Sequence, residues 1–63
     1  PVLYASVLCT NVHVLLEIGG EANLNRATSQ VNQAIAIEIQ QFGAARRLST
    51  YLLAQIDKKQ RRK

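Results

Sequence analysis

Cys9 is the only cysteine in a chain of 63 residues, so internal disulfides, the usual staple of domains this small, are excluded. A domain of this length buries only about 60% of the surface its unfolded chain exposes. A second domain, a large enclosed pocket and a self-contained multi-residue enzyme site are therefore not expected. A hydrophobic share of 48% is too high for ordinary disorder. The expectation is one small folded unit that shares burial with copies of itself or docks onto a larger assembly, such as a filament or capsid.

A metal would be another staple. Cys9 and His13 are the only soft ligands, and no second Cys or His completes a tetrahedral set. No metal and no cofactor is expected, and Cys9 reads as a small buried hydrophobe. Ser6, Ser29, Ser49 and Cys9 have no base in a recognisable arrangement beside them, and Glu17, Glu21 and Glu38 read equally well as surface charges. Gly19-Gly20 lacks the spacing of a phosphate loop, and Glu21 directly after it opposes an anion, so the pair reads as a turn.

The predicted fold class is α+β: an N-terminal β-hairpin followed by two amphipathic helices, or one kinked helix, and a basic tail. Val12, Val14, Leu16 and Ile18 alternate with Asn11, His13, Leu15 and Glu17, as a half-buried strand over 11–18 demands. Residues 2–9 are apolar on both faces and read as a more deeply buried strand, with a short helix as the second reading, and as a strand they pair through a hairpin closed by Thr10-Asn11. Gly19-Gly20 breaks the pattern.

Beyond Glu21 the period becomes helical. Leu24, Ala27, Val31, Ala34, Ile35, Ile39 and Phe42 fall on one face of a helix over about 23–42, with Asn23 or Asn25 as its cap. Were that helix unbroken, Glu38, Arg46 and Ser49 would intrude on the apolar face. A break near Gly43 resolves the phase error and gives a second helix over 44–57, with Ala45, Leu48, Leu52 and Ile56 on its apolar face. Residues 1–57 are then a single domain. Val31, Ile35, Ile39, Phe42, Leu48, Leu52 and Ile56 are its expected core or oligomer interface.

Charge is unevenly spread. Residues 1–21 carry two acids and no Lys or Arg, whereas 22–63 carry eight cations against two acids. Five of those cations lie in the last six residues, where Lys58, Lys59, Arg61, Arg62 and Lys63 make a basic tail over 58–63. With Arg46 and Arg47 they form the candidate polyanion-binding set, and nucleic acid is the candidate partner. Such contacts would hold the backbone without reading sequence.

The length of the chain and its first residue, Pro1, resemble the tautomerase superfamily, and Ile18-Gly19-Gly20 before an amphipathic helix with Arg46-Arg47 looks like that family's strand, glycine turn and helix. The resemblance implies an enzyme with the Pro1 amine as general base and an arginine as substrate anchor. The family's small members run strand, helix, strand, whereas the pattern here places two strands before the first helix. Residues 1–16 lack a cationic region and a cleavage pattern for secretion, so a cytoplasmic setting is the default. The uncharged stretch from Val2 to Leu16 is too short for a spanning helix.

Overall fold

A computed structural model describes residues 2–61, with the side chain of Val2 left aside, and it is all helical. Helix α1 spans Val2–Ile18, α2 Glu21–Phe42 and α3 Arg47–Gln60. No strand occurs among the described residues, so the expected hairpin over 2–9 and 11–18, and with it the α+β class, is corrected to a three-helix fold.

The alternation over 11–18 has a helical origin. Val12 and Leu16 belong to a buried stripe with Ala5, Leu8 and Cys9, at spacings of three and four. Val14 and Ile18 belong to a second stripe on the opposite, exposed side with Leu3 and Val7. Two helical stripes sampled at every second residue imitate a strand. Thr10-Asn11 carries no glycine to turn the chain, and the Thr10 hydroxyl donates instead to the Ser6 carbonyl one turn back, at 3.1 Å. An isolated two-stranded hairpin is marginal in water, whereas a helix satisfies its own backbone. The strand–glycine–helix pattern that carried the tautomerase resemblance is thus helix–glycine–helix, and Pro1 lies outside the described residues.

Gly19 and Gly20 both take positive φ, 77° and 92°, which a side chain would strain, and so reverse α1 into α2 in two residues. The Asn23 side-chain amide donates to the Gly19 carbonyl at 2.8 Å and ties the turn to the first coil of α2. Along α2 the buried positions are Leu24, Ala27, Val31, Ala34 and Glu38, a seam repeating every three and four residues. The alanines in that seam let α1 approach closely, and Leu52 and Ile56 of α3 complete the core. Gly43, at φ 81°, ends α2 in the left-handed conformation and donates its N–H to the Ile39 carbonyl at 2.8 Å. No helix among the described residues is long and apolar enough to cross a membrane.

Candidate functional site

Among the described residues Glu38 is the one charged side chain in the core, with 0% of its surface exposed. It sits on the α1-facing seam of α2, one and a half turns before the chain reverses at Gly43. Burying a carboxylate without partners is prohibitive, and three donors meet it. The backbone N–H of Arg46 donates to Oε1 at 2.8 Å, the Arg46 Nε donates to Oε2 at 2.7 Å, and the Ser49 hydroxyl donates to Oε2 at 2.9 Å. Because the Ser49 proton is spent on Glu38, the Cys9 thiol is the donor in the 3.4 Å contact between Cys9 Sγ and Ser49 Oγ. One polar chain therefore runs from α1 through α3 to α2.

The arrangement does the work of a helix cap. Arg46 is the N-cap residue of α3 but makes no side-chain cap bond of its own. In a capping box an acid three residues into the helix takes the N-cap backbone N–H. Here Ser49 holds that third position, and Glu38 supplies the carboxylate from the neighbouring helix, at the positive end of the α3 dipole. Burial pushes the Glu38 carboxyl upward, and it is the largest single influence. The Arg46 backbone N–H, the guanidinium, the Ser49 hydroxyl and the Arg46 charge together outweigh it, leaving the group below the ordinary carboxylate range. The hydrogen bond to Glu38 raises the Arg46 guanidinium in turn.

The seven candidate polyanion-binding residues consequently part company. Arg46 is committed to Glu38, although 36% of its side chain still meets solvent. Arg47 and Lys58 lie on one outward side of α3, exposed, with the exposed Tyr51 between them, and the exposed C-cap residue Arg61 continues that side. Arg61 Nε pairs with Asp57 Oδ2 at 3.1 Å across one turn of exposed helix. Lys58 and Lys59 belong to the last turn of α3, which continues to Gln60. Lys59 points to a different side and borders a shallow groove of about 290 Å³ between α1 and α3, with a Leu16–Leu52 floor and His13, Glu17, Tyr51 and Gln55 on its rim. His13 Nε2 stands 3.8 Å from Glu17 Oε1 there, on an exposed edge. Arg62 and Lys63 lie outside the described residues.

The candidate core and interface set divides as well. Val31, Leu52 and Ile56 are buried within the chain, Ile35 is partly buried, and Ile39, Phe42 and Leu48 are exposed near the α2–α3 turn. No group of three or more His, Cys, Asp or Glu that could hold a metal forms among the described residues. Cys9 faces inward to Ser49 while His13 faces solvent beside Glu17. The sequence exposed Glu38, Arg46 and Ser49 as misfits on an apolar face. Their meeting around one carboxylate needed the α2–α3 turn, which spacing alone does not supply. No family model, no curated protein and no solved structure matches this chain.

Proposed function

We propose that this chain is a small helical interaction protein that holds the phosphate backbone of a nucleic acid along the outward side of α3. One observation carries the reading. Arg47 and Lys58 share an exposed side of α3 that its C-cap residue Arg61 continues, a span of about 21 Å at 1.5 Å per residue. At gaps of about 16.5 and 4.5 Å, these exposed cations can each meet a separate phosphate along one backbone. The Arg61–Asp57 pair is exposed, and such pairs contribute little, so a phosphate can replace Asp57 at small cost. The contact positions the partner and reads no base. A cytoplasmic setting belongs to the same reading.

The test is binding of a fluorescent duplex by the wild-type chain and by R47A/K58A/R61A across a salt series. Each phosphate neutralised contributes about −0.9 to the slope of log K against log salt for a duplex, so the triple variant should bind more weakly and lose up to about 2.7 of that slope. Equal affinity and an equal slope in the two proteins, with helicity unchanged, would remove the proposal.

A further inference from the structure

Helix α1 has two apolar sides, and the fold uses one. Ala5, Leu8, Cys9, Val12 and Leu16 enter the core. Leu3, Tyr4, Val7, Val14 and Ile18 lie on the other side, at 82%, 54%, 53%, 49% and 67% exposure. No charged residue occurs between Val2 and Leu16. A helix apolar all round is normally covered all round, and a contiguous exposed apolar patch marks an interaction surface.

The order of residues in this stripe says what covers it. The aliphatic residues of this stripe, Tyr4 aside, read the same from either end: Leu3 and Ile18 at its ends, Val7 and Val14 inside them, and Asn11 beside the midpoint. Two such helices packed antiparallel bring Leu3 of one copy to Ile18 of the other and Val7 to Val14, each contact occurring twice, as an isologous two-fold interface requires. Asn11 then meets Asn11 of the other copy near the axis. Its amide both donates and accepts, so the pair is self-complementary, and a polar residue in a helical seam fixes register. The uncharged surface meets its own copy without like-charge repulsion, despite a formal charge of +4 on the chain.

We infer that the outer side of α1 is a homodimer interface, in which two copies of this chain pack antiparallel about a two-fold axis beside Asn11. The five residues expose roughly 600 Å² per copy, so two copies bury at most about 1,200 Å², the low end of the range for a stable specific interface. The interface is separate from the polyanion side of α3 and does not depend on that reading.

Sedimentation equilibrium of the 63-residue chain tests the inference, with circular dichroism to follow the fold. Wild type should be a dimer. V7E and V14K, at positions already half exposed, should each keep the helical signal and raise the dimer dissociation constant at least tenfold. V7E/V14K should regain the dimer, because the antiparallel register sets each introduced carboxylate against the other copy's introduced ammonium. N32K, on an exposed position of α2, should behave as wild type. A wild-type monomer at every concentration would overturn the interface, as would single variants that associate normally or an N32K variant that dissociates. A double variant that stays monomeric and helical would overturn the antiparallel register.

Discussion

Replacing Glu38 with Gln keeps the shape of the side chain and removes its charge, which isolates what the carboxylate contributes. Both carboxylate oxygens accept hydrogen bonds, one from the Arg46 backbone and the other from the guanidinium and Ser49. Glutamine keeps one acceptor and turns the other into a donor. With its oxygen toward the guanidinium and Ser49, its amide nitrogen faces the Arg46 N–H, and a buried donor left unpaired costs about 1–3 kcal/mol. The Ser49 bond loses its charge assistance, which roughly halves it, and the guanidinium bond keeps only the charge of its donor. The loss at the guanidinium is reduced because Arg46 is 36% exposed and water screens it. The total is about 3 kcal/mol, at the low end of the cost of breaking a buried ion pair. For a domain of this size each kcal/mol moves the thermal midpoint by about 4–8 °C, so thermal unfolding followed by circular dichroism should fall by ten degrees or more. Ser49→Ala, which removes one donor and leaves the ion pair, should cost about 1–2 kcal/mol. An E38Q midpoint within two degrees of wild type would refute the reasoning, because Glu38 would then be an incidental buried acid.

The same carboxylate sets a pH dependence. The Glu38 pKa is lowered on folding from its ordinary value of 4.5, so its stabilisation is complete above that value and is lost as pH falls through the depressed folded value. Urea midpoints should therefore fall less steeply in acid for E38Q than for wild type, and parallel curves would contradict this. Ala34→Leu should destabilise by about 1–3 kcal/mol, because the fully buried seam has no space for a larger side chain; a neutral urea midpoint would contradict close α1–α2 packing. Gly43→Ala should cost about 1–2 kcal/mol through its left-handed conformation alone, since open space surrounds the position. A stability within error of wild type would show that the α2–α3 turn has another conformation.

Local backbone chemistry made the turns legible. Gly19-Gly20 and Gly43 lie where φ is positive, a requirement that composition alone can advertise. The seam of α2 is legible as far as Ala34, since Leu24, Ala27, Val31 and Ala34 repeat with one period, but Ile39 and Phe42, expected on the same face, are exposed and Glu38 takes the buried position. Helix α1 was misread because it carries two stripes: Val12 and Leu16 inward, Val14 and Ile18 outward, interleaved into false alternation. A pattern rule that assumes one apolar side per element fails wherever an element carries apolar residues on two sides. At the candidate site, Arg46 and Arg47 looked alike as neighbours in a basic pair. A single step of backbone, from the extended N-cap into the helix, sends the first to Glu38 and the second to solvent.

Pairing of two copies along the outer side of α1 would add to the stability of a fold that each chain forms by itself, so that folding and association are linked. The thermal midpoint measured over a hundredfold range of protein concentration tests it most directly. Linked association predicts a midpoint that rises with concentration, and that rises less in V14K. A midpoint independent of concentration, with full helicity at the highest dilution, would contradict the account.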